Sequence, residues 1–463
     1  MHENDKPRCV RGNESNDSIG TDAPVRQPNL RAAPARRGAF RVLLRARAAL
    51  QYAGLNCGHR VLRLPKSGGR AGILTRESRR LQVARSRGKA VKVQFYRHNI
   101  DEGDIANVAS ALRGEFLTTG DWVERFERDL AAFTGRRYAV GVSSGTAGLH
   151  LALAAAGIGP GDEVITTPMT FVATANAIVM AGARPVFVDV EEDTGNMRAS
   201  LVSGAITGRT KAIVPVHLYG VMCDMPALRA VADKHGLVIV EDAAHALEAR
   251  RDGVAPAELS LATMFSFYAT KSITSGEGGA VVTGDAALAD RLRIMRLHGL
   301  SKSAAERHKG RYEHYDMNVF GWKYNMSNIQ AALLLGQLPR VKEMRNRREA
   351  IAGMYSEGLA GAPGVRIPAV PEGCVSGRHL FTIWVDPARR DSVIGKLQAG
   401  GVGVTVNYRP VHLMSYYRRT FEYKEGQFPV AERIGASTLS LPLYPKLKDE
   451  EVAYVVDAVR KAT

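Results

Sequence analysis

The amino-acid sequence predicts an α/β protein organised around a mainly parallel sheet. Short apolar segments recur every 20–30 residues from residue 138 onward, and segments with helical spacing of apolar residues lie between them. This alternation is typical of parallel strands connected by helices that cover both faces of a sheet. A chain of 463 residues exceeds one typical hydrophobic core, so we expect two domains.

The elements of the larger domain are predicted to alternate in chain order. The strands are predicted at Tyr138–Val142, Glu163–Thr166, Pro185–Val190, Ala212–Val216, Leu237–Glu241, Thr263–Tyr268 and Ala280–Thr283. The helices are predicted at Trp122–Phe133, Thr146–Ala156, Phe171–Ala181, Pro226–His235, Ala286–Leu297 and Ser327–Leu338. Because ligands bind at the carboxyl ends of the strands in such sheets, polar residues that follow a strand are the candidates for a functional site.

A smaller α/β domain is predicted to follow, so that residues 93–345 form the large domain and residues 346–463 the small one. Its expected elements are a helix that ends at Leu359, two strands, Phe381–Val385 and Val402–Val406, and a final helix, Asp449–Lys461.

The positive charge of the chain is concentrated at its N-terminus. Residues 1–92 carry 21 Lys and Arg against 6 Asp and Glu, which leaves 42 against 40 for residues 93–463. No pattern in residues 1–92 could build a core, so we expect a basic and disordered extension. A nucleic-acid-binding arm, an organelle transit peptide and upstream sequence from a wrongly assigned start codon are the alternatives. Nucleic acid is not the partner expected of the near-neutral body.

Cysteine usage and hydropathy limit where the protein works. The four cysteines are widely spaced, without a Cys-x-x-Cys pair or nearby histidines, so we predict neither a metal site nor a disulfide framework. This usage favours a reducing compartment, and we expect a cytoplasmic protein. We find no apolar run long enough to span a membrane and no apolar core of a secretory signal.

The segment Leu261–Gly284 is predicted to form two strands joined by a loop that holds one lysine, Lys271. Small and hydroxylated residues surround this lysine. Burial lowers the pKa of a lysine and leaves a neutral, nucleophilic amine that can bond to a carbonyl carbon. The alternative is an ordinary lysine in a surface loop.

Small residues also follow the first strand of the predicted sheet. The segment Ser143–Ala147 leads directly into a helix. A helix N-terminus presents free backbone N–H groups and the positive end of the helix dipole, so this segment could bind a phosphate. Ordinary helix capping by serine and threonine is the alternative.

Asp242 and His245 follow the apolar strand Leu237–Glu241. A carboxylate at the end of a buried strand must be paired or hydrogen-bonded to stay ionised. Its attraction to a protonated ring nitrogen would be about 4 kcal/mol at an effective dielectric near 20. A helix N-cap is the alternative for Asp242, and a structural histidine is the alternative for His245.

Together, an anion cradle, a carboxylate and a lysine amine at strand ends are the groups that pyridoxal phosphate requires of a protein. The lysine binds the aldehyde, the carboxylate keeps the pyridine nitrogen protonated, and the cradle binds the phosphate. We therefore predict pyridoxal 5'-phosphate as the cofactor.

From about Tyr96 to its C-terminus, the chain resembles the DegT/StrS-type nucleotide-sugar aminotransferases, which are fold type I pyridoxal-phosphate enzymes. The matching segments are SSGTAGLHLAL, TPMTFVATANAIVMAGARPVFVDV, VIVEDAAHAL, FSFYATKSITSGEGGAVVT, GWKYNMSNIQAALLLGQL and LSLPLYP. The resemblance implies a large domain with a mainly parallel seven-stranded sheet, a smaller C-terminal α/β domain, and a homodimer with shared active sites.

The resemblance also implies roles for the residues nearest the reaction. Lys271 would bind the aldehyde of the cofactor and move protons, and Asp242 would pair with the pyridine nitrogen. His245 stands where many members have glutamine, on the side of the ring hydroxyl. Phe171 matches the aromatic residue that stacks on the cofactor ring.

Further matches concern the phosphate. Thr146, Ala147 and Ser266 would bind it, and Asn325 would reach the phosphate of the neighbouring subunit. A plain loop is the alternative for the segment around Asn325.

Lys323, Tyr408 and His412 match substrate-facing positions in relatives, whereas a locally packed surface loop is the alternative for Tyr408 and His412. Many members read Asn-Tyr-Arg-Met where this chain reads Lys-Tyr-Asn-Met from residue 323. The latter form resembles the branch that acts on 4-keto pentose and hexose nucleotides.

The activity implied is amino transfer from L-glutamate to a keto sugar nucleotide, a UDP- or dTDP-4-keto sugar, for amino-sugar or cell-surface polysaccharide biosynthesis. One alternative is a cofactor-bound sensor or regulatory protein without turnover. Another is a pyridoxal-phosphate-dependent sugar dehydratase, in which a histidine replaces the lysine, so Lys271 argues against it.

Overall fold

A computed structural model describes residues 91–301 and 314–463. The predicted basic extension therefore lies outside the described residues, apart from its last two. Within the described ranges, no helix is both long and apolar enough to cross a membrane.

Seven strands form one mainly parallel sheet, as predicted. The strands of the described chain are β1 (Tyr138–Val142), β2 (Glu163–Thr166), β3 (Arg184–Phe187), β4 (Thr210–Ile213), β5 (Val238–Asp242), β6 (Arg250–Arg251), β7 (Ala262–Ser266), β8 (Gly279–Thr283), β9 (Val365–Arg366), β10 (Cys374–Val375), β11 (Phe381–Val385) and β12 (Thr438–Leu441). The order in the large sheet is β1-β8-β7-β5-β4-β2-β3. Strand β8 runs antiparallel to β1 and β7, and the other neighbours are parallel.

Helices cover both faces of this sheet. The α-helices of the described residues, including those of the C-terminal part, are α1 (Glu102–Arg113), α2 (Asp121–Thr134), α3 (Gly145–Ala155), α4 (Val172–Met180), α5 (Ala199–Val202), α6 (Met225–His235), α7 (Ala286–Met295), α8 (Asn328–Leu335), α9 (Val341–Leu359), α10 (Arg390–Ala399), α11 (Ser415–Phe421), α12 (Pro429–Ser437) and α13 (Asp449–Ala462). Strand β7 shows how side chains alternate between two cores, because Met264 packs into one apolar cluster and Phe265 into the other. Each fully buried side chain of this size contributes about 1.5–3 kcal/mol to folding.

The first turn of α3 lies against the start of β8. A Cβ atom on Gly279 would lie 2.6 Å from the backbone carbon of Ser144, so only glycine allows this close approach. Ser144 caps α3, since its side chain accepts a hydrogen bond from the amide of Ala147 at 3.1 Å. The glycine-rich end of the lysine loop therefore fixes the start of α3 beside β7 and β8.

The C-terminal part contains a three-stranded antiparallel sheet in the order β12-β11-β9, which packs with α9, α10 and α13 around its own apolar cluster. Helix α9 spans the predicted boundary at residues 345 and 346, and the division into two domains stays a prediction.

The prediction of a strand at Val402–Val406 is wrong. Val402 makes a single bridge to Val93, and Thr405 makes one to Ser440. Gly401, with a φ of +78°, bends the chain before this segment, so no continuous ladder forms. The segment instead holds the N-terminal end of the described chain, because the amide of Val93 donates to the carbonyl of Gly401 at 2.9 Å.

Candidate active site

A cavity of about 530 Å³ lies where β1, β5 and β7 end. Seven sequence-predicted residues contribute to its wall: Thr146, Phe171, Asp242, His245, Ser266, Lys271 and Tyr408. The carboxyl ends of parallel strands meet at one edge of a sheet, which is why residues far apart in the chain converge here.

Lys271 lies in the loop between β7 and β8. Its backbone amide stabilises this loop by donating a hydrogen bond to the carbonyl of Tyr268 at 2.9 Å. Burial lowers the pKa of Lys271 to about 8, and the negative charge of Asp242 opposes this shift. A lysine with this pKa is neutral in about one molecule in ten at pH 7. The amine is therefore a far better nucleophile than an exposed lysine.

Asp242 is the last residue of β5, and its carboxylate is buried in the cavity wall. Its Oδ2 atom accepts a hydrogen bond from the hydroxyl of Thr174 at 2.7 Å, and its Oδ1 atom accepts one from the amide of Ala244 at 3.1 Å. Burial raises the pKa of Asp242, whereas these two bonds and the nearby Lys271 lower it. The carboxylate is thus desolvated but held in place, ready to pair with a cationic ring nitrogen.

His245 is held by backbone and side-chain groups on both of its ring nitrogens. Its Nδ1 atom accepts from the amide of Tyr219 at 3.3 Å, and its Nε2 atom lies 3.1 Å from the hydroxyl of Tyr408. A neutral ring that accepts at Nδ1 carries its proton on Nε2, so it donates to Tyr408. Burial lowers the pKa of His245 well below its usual value, and the positive charge of Lys271 lowers it further. The imidazole therefore stays neutral.

The N-terminus of α3 forms an anion-binding corner with Ser266. A Cβ atom on Gly145 would lie 2.9 Å from Sδ of Met264 and 3.1 Å from Cβ of Ser266, so the bare backbone of the helix meets β7 directly. The first amides of a helix have no acceptor within it, and Thr146 and Ser266 both line the cavity here. This corner suits a phosphate group.

Phe171 offers an aromatic face at the cavity. It precedes α4, 57% of its side chain is exposed, and its ring centroid lies 5.8 Å from that of Tyr408. Together with the amine, the carboxylate and the anion-binding corner, this ring gives each part of pyridoxal phosphate a matching group. The residues present therefore fit the cofactor.

Four sequence-predicted residues lie outside the lining of this cavity. The amide of Ala147 already donates to Ser144. Asn325 donates to the hydroxyls of Thr118 and Thr119, at 3.3 and 2.8 Å. Lys323, two residues before Asn325, is exposed.

His412 corrects the expectation of a substrate-facing histidine. It is fully buried, and its Nε2 atom lies 2.9 Å from the carboxylate of Glu432. Its neighbours are core side chains such as Phe428, whose ring centroid lies 4.8 Å away. In this structure His412 packs the C-terminal part, whereas Tyr408, four residues earlier, does line the cavity.

Two residues that the sequence did not reveal contact the central groups. Thr174 donates to Asp242, and His379 places its Nε2 atom 3.5 Å from Nζ of Lys271. Thr174 lies on the first turn of α4, and His379 precedes β11. A polar residue next to the end of a predicted element was the only available signal for either.

A family model described as the DegT/DnrJ/EryC1/StrS aminotransferase family matches residues 98–460. Among curated proteins, the spore coat polysaccharide biosynthesis protein SpsC of Bacillus subtilis (strain 168) is 44% identical over 367 residues, which are 78% of this chain and 94% of SpsC.

Solved structures show the same similarity. The putative sugar aminotransferase Spr1654 from Streptococcus pneumoniae, in its PMP form, is 32% identical with a TM-score of 0.76, and the match covers 80% of this chain and 99% of that one. DesI, solved in the presence of its TDP-sugar product, is 34% identical with a TM-score of 0.72, and the match covers 82% and 95%.

Proposed function

Because the chain belongs to the DegT/DnrJ/EryC1/StrS aminotransferase family, we propose that it transfers the amino group of L-glutamate to a keto sugar nucleotide. It is a pyridoxal-phosphate-dependent enzyme of the sugar aminotransferase type. The donor, the acceptor and the residue roles given below are our proposal.

One observation carries this proposal: a desolvated amine, Lys271, and a buried carboxylate, Asp242, line the same cavity. When bound, pyridoxal phosphate accepts the electron pair released at the carbon that loses its proton, and it carries the amino group between the two substrates. Lys271 removes and returns that proton, because a pKa of about 8 lets the amine act as a base near neutral pH. Asp242 keeps a proton on the ring nitrogen.

The surrounding residues set the charge of the site. Thr174 and Ala244 donate to the carboxylate of Asp242 and favour its ionised form. His245 and Tyr408 bond to each other and stay neutral, so they orient a ring hydroxyl without adding a second cation near Lys271. Thr146 and Ser266 hold the phosphate at the start of α3.

The acceptor in this proposal is a UDP- or dTDP-4-keto sugar. DesI, which was solved with its TDP-sugar product, supports a nucleotide sugar, and SpsC, named for spore coat polysaccharide biosynthesis, supports a role in cell-surface polysaccharide formation. The Lys-Tyr-Asn-Met segment from residue 323 favours a 4-keto group. Glutamate is chosen by family resemblance alone.

A homodimer with shared sites is part of the proposal. Met317, Val319 and Phe320 are 57, 44 and 69% exposed, an apolar surface that a second subunit would cover. Asn325 follows this surface by five residues, bound to the threonines at 118 and 119. We propose that this segment reaches the phosphate site of the partner.

A cytoplasmic location completes the proposal. The wide spacing of the four cysteines, without a Cys-x-x-Cys pair, supports a reducing compartment.

The deciding experiment is spectroscopic. Protein loaded with pyridoxal phosphate is mixed with L-glutamate, and the absorbance of the aldehyde form is followed as it converts to the amine form. Conversion followed by amino transfer to one of a panel of 3-keto and 4-keto sugar nucleotides would support the proposal. If the absorbance does not change with any amino donor, the chain binds the cofactor without turnover, as a sensor would.

A further inference from the structure

Lys271 and His379 form a wall between two cavities. On one side lies the large cavity described above. On the other side is a space of about 20 Å³, which Lys271, His379, Tyr96, Asn99, Arg348 and Tyr444 line among others. This second space is large enough for one water molecule, which needs about 10–15 Å³ by the same measure. The two side chains are thus in contact with both spaces.

The small space is polar, and two of its groups need a partner. The Nε atom of Arg348 and the hydroxyl of Tyr444 are buried, and neither has a hydrogen-bond partner among the residues that the structure describes. Both side chains are at least nine-tenths buried, with 3 and 2% exposure. A buried donor without a partner costs about 1–3 kcal/mol. Polar cavities of this size in proteins hold ordered water for that reason.

His379 is able to pass a proton across the wall. Its Nε2 atom lies 3.5 Å from Nζ of Lys271, and its ring packs against that of His245 with centroids 4.3 Å apart. Burial lowers the pKa of His379 well below its usual value, and the charges of Lys271 and Arg348 add to the effect. A neutral imidazole has one lone pair and one N–H, which is the combination that a proton relay requires.

We propose that His379 and a water molecule beside Tyr444 and Arg348 connect Lys271 to bulk solvent by a route that avoids the substrate cavity. This inference rests on the proposed function, since it concerns the proton that Lys271 takes from the amino donor.

An Nζ–H bond of the Lys271 ammonium group breaks as a bond forms from that proton to Nε2 of His379. The proton on Nδ1 of His379 passes to the water molecule, so the imidazole ends neutral and the lysine ends as a neutral amine. The reverse transfer brings a solvent proton to Lys271, and no oxidant or reductant is needed.

The test is hydrogen exchange during the first half of the reaction. Loaded protein is incubated with L-glutamate in D₂O, and loss of the α-hydrogen from recovered glutamate is measured by proton NMR against the rate of absorbance conversion. In the wild type, exchange should accompany conversion. In His379→Phe, which keeps an aromatic ring against His245, exchange relative to conversion should fall by roughly a hundredfold, the low end of the effect of a positioned proton-transfer group.

Tyr444→Phe provides a second and milder variant, in which the ratio should fall less because Arg348 still binds the water. The matched control is Tyr417→Phe, which removes another buried hydroxyl, one that donates to Oδ1 of Asn176 at 2.6 Å and lines neither cavity. Its ratio should equal that of the wild type.

A readout that is independent of turnover is the crystal structure of the cofactor-free protein. We expect an ordered water within hydrogen-bond distance of Tyr444 and Arg348. The relay would be overturned if the small space held no ordered water, or if His379→Phe showed the same ratio of exchange to conversion as the wild type. If glutamate still converts the absorbance in that case, the proposed function stands. If the wild type does not convert with glutamate, both proposals fail.

Discussion

Arg348 and Glu248 form a buried ion pair directly behind the lysine loop. Their Nη2 and Oε1 atoms lie 2.6 Å apart, and their side chains are 4 and 5% exposed. Ser272, the neighbour of Lys271, donates to Glu248 at 3.1 Å and lies 3.2 Å from Arg348. Arg348 also donates to the carbonyl of Gly377, two residues before His379. The pair thus connects α9 to the segments that carry Lys271 and His379.

We expect the Arg348–Glu248 pair to be essential for stability. Glu248→Gln should lower the free energy of unfolding by about 3–5 kcal/mol, because it leaves the arginine buried without a counter-charge. The double variant Arg348→Met with Glu248→Leu should recover most of that loss. Urea unfolding measures both. As a control, Asp457→Ala breaks the exposed pair with Lys461 and should cost at most about 1 kcal/mol.

Lys271→Ala should bind pyridoxal phosphate but lose amino transfer and the absorbance band of the covalently held cofactor. The phosphate corner and Asp242 remain in this variant, so equilibrium dialysis should still detect binding. Lys211→Ala removes an exposed lysine on β4 and should behave as the wild type. Full transaminase activity in Lys271→Ala would refute the role assigned to this residue.

Thr174→Val should remove one of the hydrogen bonds that hold the carboxylate of Asp242 in place. Loss of one hydrogen bond to a charged group costs about 1.5 kcal/mol or more, so the rate of the glutamate half-reaction should fall roughly tenfold. Stopped-flow absorbance measures this rate. Thr166→Val is the matched control, because it removes a buried threonine bond of 2.8 Å to the carbonyl of Val214 in the same sheet. Equal rates in the two variants would show that Thr174 acts only on stability.

Lys271 should also leave a signature in the pH dependence of folding. Its folded pKa of about 8 lies below its ordinary value of 10.5, so between these values the unfolded chain binds a proton that the folded chain does not. Stability of the cofactor-free protein should therefore rise with pH across this window, by roughly 3 kcal/mol in total from this residue. Lys271→Met should lack that rise. Urea midpoints at pH 7.5, 8.5 and 9.5 test this, and parallel curves for the two proteins would contradict it.

The proposed dimer can be tested by subunit mixing. Suppose that Asn325 serves the site of the partner subunit. Inactive Lys271→Ala and impaired Asn325→Ala chains should then regain up to about one quarter of wild-type activity when unfolded and refolded together, because each mixed dimer holds one intact site. Recovery would be absent if Asn325 served its own subunit. A fully active Asn325→Ala protein would remove the residue from the site altogether.

The sheet and the convergence of Lys271, Asp242 and Ser266 could be predicted because local patterns determine them. Each of these residues follows or ends an apolar strand, and parallel strands bring such positions to one edge. The alternation that identified Thr263–Tyr268 was only two residues too long at its end and one residue late at its start. Family resemblance then supplied roles that the pattern alone could not.

The remaining errors concern contacts between distant segments. His379 lies 108 residues from Lys271, and nothing in either local sequence records that their side chains meet. His412 was expected to face the substrate because it matches a substrate-facing position in relatives, yet Glu432 on α12 pairs with it and the core closes over it. Tertiary packing decided both positions.

The bond between Val93 and Gly401 sets where a shortened version of this chain can begin. The family match starts at residue 98, which would suggest trimming there. A protein cut at that point would lose Val93, whose side chain is fully buried, and Phe95, which borders the large cavity. Expression clones designed for crystallography should therefore begin at residue 91 or earlier. A later start would remove the segment that connects the C-terminal part to the wall of the large cavity.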